Sequence, residues 1–285
     1  MKICNTIGNM RDACRAAREG GRRLGFVPTM GALHEGHLSL VRAAMEACEV
    51  VAASIFVNPT QFGPQEDLAK YPRSFERDCE LLEREGVELL FAPTVEEMYP
   101  VGAATWVTVE GLSDKLDGRS RLGHFRGVTT VVAKLFHIIE PDAAFFGQKD
   151  AAQVAIIRRM VRDLNFGVEI VVCPIVREAD GLAMSSRNAY LDAEQRKNAL
   201  VLHRALMRVK ELWEGGERDA AKLISAGSEQ IAQEQSVRLD YFEIVDADSL
   251  EAAREVCGGE LVAAAAWVGA TRLIDNVLLV GTRGD

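Results

Sequence analysis

The chain has 285 residues and a net charge of −9, with 48% of residues hydrophobic and 26% charged. That balance supports a sizeable core in one large or two modest domains. It argues against a general nucleic-acid binder, which needs a broad basic face, but not against a nucleotide site served by a few focused cations. No apolar run approaches the roughly 18 residues of a membrane span, and Met1-Lys2-Ile3-Cys4-Asn5 lacks the apolar core of a secretory signal, so the expected location is cytoplasmic.

From the N-terminus, apolar runs suited to buried strands alternate with amphipathic stretches. The spacing predicts a strand at Arg23–Pro28, a helix at His37–Cys48, a strand at Val50–Val57 and a helix at Phe75–Glu85. A strand at Val87–Phe91, a helix at Val128–Ile139, a strand at Ala143–Phe146, a helix at Asp150–Leu164 and a strand at Val168–Cys173 follow. This alternation implies an α/β fold, a Rossmann-like doubly wound parallel sheet with right-handed crossovers and its ligands at the carboxyl ends of the strands. After Ala183 the pattern changes. A helix from Asp192 to Glu214 stopped by Gly215-Gly216, a helix at Ala220–Gln233, and strands at Tyr241–Val245, Leu261–Val268 and Thr271–Asn276 predict a smaller α+β domain. The expected division is residues 1–176 and 177–285, with the boundary near Val176–Gly181.

Five segments carry the chemistry. Pro28-Thr29-Met30-Gly31-Ala32-Leu33-His34-Glu35-Gly36-His37 leaves the first predicted strand and opens a helix. Helix N-termini bind anions, and imidazoles there can hydrogen-bond phosphoryl oxygens as charge develops. The plain alternative is that His34 and His37 only cap the helix; a zinc reading lacks a third ligand. Ser54-Ile55-Phe56-Val57-Asn58-Pro59-Thr60-Gln61-Phe62-Gly63 offers the uncharged amides of Asn58 and Gln61, suited to a small polar acid, although Asn-Pro is also an ordinary turn starter. Gly147-Gln148-Lys149-Asp150, with Gln153 one turn on, places a cation and a carboxylate where a strand meets a helix. Met184-Ser185-Ser186-Arg187 sets two hydroxyls and a guanidinium in a loop suited to phosphates. Arg119-Ser120-Arg121-Leu122-Gly123-His124-Phe125-Arg126-Gly127 reads as an anion-facing loop or a solvated basic one. The six cysteines, Cys4, Cys14, Cys48, Cys79, Cys173 and Cys257, show no metal or redox spacing and read as free thiols.

These segments, in this order, resemble the pantothenate synthetase family over nearly the whole chain. The match runs from Phe26–His37 through Phe56–Phe62, Asp67-Leu68…Tyr71-Pro72-Arg73 and Met184–Arg187 to Arg272-Leu273-Ile274-Asp275-Asn276. The family belongs to the His-x-Gly-His nucleotidyltransferases. The resemblance implies ATP-dependent condensation of pantoate with β-alanine through a pantoyl-adenylate, releasing AMP and pyrophosphate. It implies that Met30, Gly31, Ala32, Leu33, His34, Glu35, Gly36 and His37 line the adenylate pocket, with His37 the usual proton donor. By the same resemblance Gly147, Gln148, Lys149, Asp150, Val176, Met184, Ser185, Ser186 and Arg187 hold ATP. His34, His37, Lys149 and Arg187 are the expected catalytic set, and Gln61, Gln153, Asn58 and Arg121 the expected substrate contacts. Magnesium is implied as the cofactor, held mainly by phosphates with no protein ligand assigned. A homodimer with a C-terminal lid, and neither nucleic acid nor membrane as partner, completes the expectation. Leu122, Gln148, Ala151 and Ala152 depart from the family's commonest pattern and touch local pocket shape. The rival readings are a relative that adenylylates a phosphate ester and stops, and a non-catalytic nucleotide-binding module.

Overall fold

The structure, a computed structural model, describes residues 1–63 and 66–281, the side chain of Asp67 excepted. It divides into two units. The first holds Met1–Ser113, Arg121–Gly147 and Ile156–Pro174; the second holds Asp114–Ser120, Gln148–Ala155 and the chain from Ile175 onward.

In chain order, β1 (Lys2–Cys4), α1 (Ile7–Ala17), β2 (Leu24–Thr29), α2 (Glu35–Ala47), β3 (Val50–Ile55), α3 (Phe75–Arg84), β4 (Leu89–Phe91) and α4 (Val95–Met98) come first. Then follow α5 (Asp117–Ser120), α6 (His124–Ile139), β5 (Ala143–Gly147), α7 (Ala151–Asp163) and β6 (Glu169–Cys173). The first unit is built on a six-stranded sheet in the order β1-β4-β3-β2-β5-β6, every described pairing parallel. The α/β expectation holds. Successive strands run outward from β2 through β3 to β4, then restart on its other side with β5 and β6, so the topological switch point lies at β2 and β5. Ligands of such sheets bind outside the carboxyl ends of the strands at that point. Leu24, Phe26 and Val27 are fully buried, the unbroken apolar run of a strand covered on both faces.

Several features depart from the expected elements, the short α4 and α5 among them. β1 and α1 were not anticipated: β1 has three residues, and the buried stripe of α1 is only Met10, Ala13, Cys14 and Ala17. Helix α6 starts at His124, four residues before Val128. Gly127 sits inside the helix, where a Cβ would stand 2.4 Å from the Thr60 carbonyl oxygen. The missing side chain is what lets α6 touch the Pro59–Gln61 turn.

The second unit carries α8 (Ala193–Glu214), α9 (Ala220–Ala232) and an antiparallel sheet of β7 (Val237–Asp246), β8 (Glu260–Val268) and β9 (Thr271–Leu278) in that order. Asp192 caps α8 in a reciprocal box with Gln195. Leu202, Leu206, Val209, Trp213, Leu223 and Phe242 are among the residues of its core. Gly227 lets α9 lie against β7, since a Cβ there would meet the Phe242 ring at 2.2 Å. β7 is longer than expected and its register shifts between Leu239 and Tyr241. Such an irregularity re-aims a side chain; Asp240 there takes the Arg272 guanidinium at 2.8 Å, and Asp117 takes it at 2.7 Å.

Candidate active site

The turn leaving β2 is held from beneath. The Thr29 hydroxyl donates to the Ser54 carbonyl at 2.6 Å and accepts the Gly31 amide at 3.2 Å. Gly31 has φ +83° and Ala32 φ +51°, so the chain reverses in the left-handed region before α2 begins. The amides of Ala32 and Leu33 donate to the buried carboxylate of Asp78, at 2.8 and 2.9 Å. Sequence reasoning missed Asp78. The available signal was an acid four residues before Leu82 on the buried face of α3.

His34 and His37 close the turn as a capping box. His34 Nδ1 accepts the Gly36 amide at 3.1 Å, and His37 Nδ1 accepts the His34 amide at 3.4 Å. Their ring centroids lie 4.1 Å apart. With each Nδ1 serving as an acceptor, a neutral ring carries its proton on Nε2. Capping and donating are therefore complementary uses of the two ring nitrogens.

Gln61 is buried in the turn after β3. Its Oε1 accepts from Asn58 Nδ2 at 3.1 Å, its Nε2 reaches Met30 Sδ at 3.0 Å, and its carbonyl meets His124 Nδ1 at 2.8 Å. Asn58 is more deeply buried. Its Nδ2 also donates to the Gly127 carbonyl at 3.1 Å, and its Oδ1 accepts from the Thr60 hydroxyl and the Tyr99 hydroxyl, each at 2.9 Å. Both ends of the Asn58 amide are thus occupied by protein groups that shape the Gln61 turn. Burial pushes the Tyr99 phenol up. Arg121 forms a bidentate pair with Glu66 at 2.7 and 2.8 Å and reaches His124 Nε2 at 2.9 Å. Burial raises the Glu66 carboxyl, but the Arg121 hydrogen bonds and charge pull it below the usual range. Tyr99 and Glu66 join this network without having been singled out, and His124 joins it from the basic segment that carries Arg121.

A cavity of about 290 Å³ opens in the first unit, lined in part by Met30, Gly31, Phe56, Arg73, Ser74 and Asp78. It is close to the lower end of small-ligand pockets.

In the second unit, Gln148–Asp150 form a 3₁₀ turn leading into α7, and Gln153 sits half-buried in the first turn of that helix. Asn276 of β9 clamps this turn: its Nδ2 donates to the carbonyls of Gln148 and Lys149, each at 2.9 Å, and its Oδ1 accepts from Gln148 Nε2 at 3.2 Å. Lys149 Nζ lies 3.4 Å from Asp150. Val176 and Met184 are brought together by a short hairpin, the Met184 amide donating to the Val176 carbonyl at 3.0 Å. Ser185 then caps the 3₁₀ segment Ser186–Tyr190 that carries Arg187. Glu178 ties this loop down. It accepts from Asn188 at 2.8 Å and pairs with Arg196 at 2.6 Å, while Asp180 pairs with Arg196 at 2.8 Å. The Arg196 hydrogen bond holds the Glu178 carboxyl below its usual range. Asp275 receives Arg177 at 2.7 and 2.9 Å. The Arg272–Asn276 stretch therefore contributes clamps: Asn276 fixes the Gln148–Lys149 turn, and Asp275 holds Arg177 beside Val176.

The cysteines of the described structure are free thiols. Burial pushes Cys14 up to about 11 and also raises Cys4, Cys48, Cys79 and Cys173. No described helix is long and apolar enough to cross a membrane.

A parallel sheet that reverses its strand order beside a capped His-x-Gly-His turn defines a nucleotide-dependent α/β enzyme. Comparison with known proteins narrows the class. The family model for Pantoate-beta-alanine ligase matches residues 2–278. A pantothenate synthetase of Koribacter versatilis is 62% identical over 279 residues, covering 98% of this chain and 96% of that protein. One from Moorella thermoacetica is 58% identical over 279 residues, covering 98% and 99%. The crystal structure of pantothenate synthetase from Thermus thermophilus has a TM-score of 0.94 at 48% identity, covering 99% of this chain and 100% of that one. A pantoate-beta-alanine ligase from Francisella tularensis, complexed with beta-gamma ATP and beta-alanine, has a TM-score of 0.80 at 32% identity, with 98% and 97% covered. The chain belongs to the pantoate–β-alanine ligase family.

Proposed function

We propose that the chain works in two steps, with its two units supplying groups of different chemistry. It is an ATP-dependent ligase that joins pantoate to β-alanine. A carboxylate has no good leaving group, so pantoate attacks the α-phosphorus and expels pyrophosphate. The amine of β-alanine then attacks the acyl carbon of the pantoyl-adenylate and AMP departs. The carrying observation is the histidine pair: each Nδ1 accepts a backbone amide of the turn, so a neutral ring keeps its N–H on Nε2, the nitrogen this reading assigns to the phosphoryl oxygens. Donors aimed where charge develops are the largest common source of rate enhancement.

The remaining roles follow the same division. Met30 through His37 hold the nucleotide in the first unit, with His37 as proton donor. Gly147, Gln148, Lys149, Asp150, Val176 and Met184 through Arg187 hold it in this reading too, Lys149 and Arg187 carrying the positive charge. Gln61 orients pantoate and then the amine, and Gln153 contacts pantoate. Asn58 and Arg121 serve by fixing Gln61, the first through its amide and the second through His124. Magnesium enters with the nucleotide in this reading, held mainly by its phosphates and with no protein ligand assigned. When bound it neutralises phosphate charge. The chain acts as a homodimer in this reading, and the C-terminal unit is its lid.

The test is a single turnover with labelled ATP, magnesium and pantoate but no β-alanine. A stoichiometric burst of pyrophosphate with enzyme-bound pantoyl-adenylate is the expected result. Pyrophosphate appearing only once β-alanine is added would replace the two-step scheme with a concerted one.

A further inference from the structure

Asp78 is 1% exposed, yet it is a carboxylate on the core-facing side of α3. Its Oδ2 accepts the Ala32 amide at 2.8 Å; its Oδ1 accepts the Leu33 amide at 2.9 Å and the Ser74 hydroxyl at 3.1 Å. A Cβ at Gly31 would stand 3.1 Å from Oδ2, so the turn is drawn down onto the carboxylate. Ala32 occupies the left-handed region at φ +51°, a conformation a β-carbon disfavours and which persists only where the surroundings hold it. The group doing the holding here is Asp78.

The consequence reaches the chemistry. Backbone amides at a strand-to-helix turn are the usual phosphate binders. In this turn the amides of Ala32 and Leu33 are spent on Asp78, that of Gly31 on Thr29, and that of Gly36 on His34. With those four amides occupied, more of the task of meeting phosphoryl oxygens falls to the imidazoles, whose placement depends on the residue immediately before them. We propose that Asp78 is the positioning residue of the histidine pair, fixing Ala32 and Leu33 so that His34 enters the helix as its cap. This rests on the reading of the Met30–His37 turn as the nucleotide turn.

Asp78→Asn tests it at constant shape. Its carboxamide can accept one of the two amides but turns an N–H toward the other, so the clamp is half lost. Misplacing reacting groups by about 1 Å costs on the order of a hundredfold. The expected result is a fall in kcat for pyrophosphate release of about that size per folded molecule, with KM for ATP moving less than about threefold, because Asp78 acts on the transition-state donors and not on ground-state binding. Ser74→Ala removes one of the three bonds to the carboxylate and keeps its charge, so a fall of about threefold to tenfold in kcat is expected. A reduced melting temperature with wild-type kcat would overturn the assignment, and so would a loss carried by KM alone. If Asp78→Asn does not fold, Ser74→Ala decides, and an unchanged kcat there is equally fatal. His37→Ala separates the two levels. A wild-type rate in that variant sinks the nucleotide turn itself, whereas an impaired His37→Ala beside a normal Asp78→Asn sinks only the positioning role.

Discussion

The Met30–His37 turn and the Met184–Arg187 loop, both given to the nucleotide only in the proposed function, are held in different ways. The first rests on a buried carboxylate, a buried threonine and its own imidazoles. The second rests on Glu178, Asp180 and Arg196, whose side chains are 29%, 36% and 33% exposed. Bonds taken out of water are little screened by salt, whereas partly exposed pairs are screened and weak. The geometry of the first segment should therefore be insensitive to solution conditions, and that of the second should respond to them.

The largest effect should come from breaking the buried side of this comparison. His34→Ala and His37→Ala each remove half of the capping box and, in the proposed function, a transition-state donor, so adenylation should fall about a hundredfold or more. Both residues are partly exposed, so circular dichroism should report a folded protein. Near-normal pyrophosphate release from either variant would end the phosphate assignment. Next is Gly127→Ala. Its Cβ would collide with the Thr60 backbone 2.4 Å away, forcing α6 off the Gln61 turn. Overpacking of this kind typically costs about 1–3 kcal/mol. If Gln61 serves both substrates as proposed, both half-reactions should slow by tens of fold, on the order expected for a sub-ångström to 1 Å shift.

The sequence made the first segment legible because its chemistry is contiguous. His34 and His37 lie three residues apart at a strand end, and the alternation around them gave the parallel sheet. Its support was not legible, because Asp78 comes from a helix 41 residues beyond His37, and only its place on a buried face marked it. Asn58 shows the opposite limit. An amide at a strand end reads as a ligand contact, but no local pattern says that Gly127, Tyr99 and Thr60 already occupy it. Elements followed the same rule. α8 was readable from its cap and its Gly-Gly stop, while α1 was not, because alanine, cysteine and methionine make a faint apolar stripe.

A smaller effect is expected from the clamp on Lys149. Asn276→Ala removes both carbonyl contacts at 2.9 Å and leaves Lys149 on a looser turn. Adenylation should slow about tenfold, less than for a lost histidine, because the ammonium can still swing toward the phosphates. An unchanged rate would show that the lysine needs no fixed backbone.

The exposed side of the comparison is sharpened by pH. Glu178 has a folded-state pKa below its unfolded value, chiefly through the Arg196 hydrogen bond. Its contribution is present above the unfolded value and is lost as pH falls through the folded one. That places the loss below the ordinary glutamate value of about 4.3. Glu178→Gln and Arg196→Ala should each behave at neutral pH as the wild type does in acid, with a few-fold rise in KM for ATP that added salt also produces in the wild type. A KM independent of salt and unchanged in both variants would show that the loop keeps its shape without these pairs.

The smallest effect on rate should come from the cysteines, and it separates the units by stability alone. Cys4, Cys14, Cys48, Cys79 and Cys173 belong to the first unit, whereas Cys257 belongs to the second and is exposed. Burial keeps the first-unit thiols protonated near neutrality, so they are poor nucleophiles, and an adenylate mechanism requires none. Cys257→Ser should change nothing. Replacing the other five with alanine removes four buried sulfurs and the half-buried one of Cys79, each buried deletion costing on the order of 1 kcal/mol through lost contacts and a small void. Thermal unfolding should then shift downward for the first unit only, while pyrophosphate release per folded molecule stays at the wild-type rate. Loss of adenylation in a variant shown to be folded would assign a thiol to the chemistry and remove the reason for placing the whole burden on His34, His37, Lys149 and Arg187.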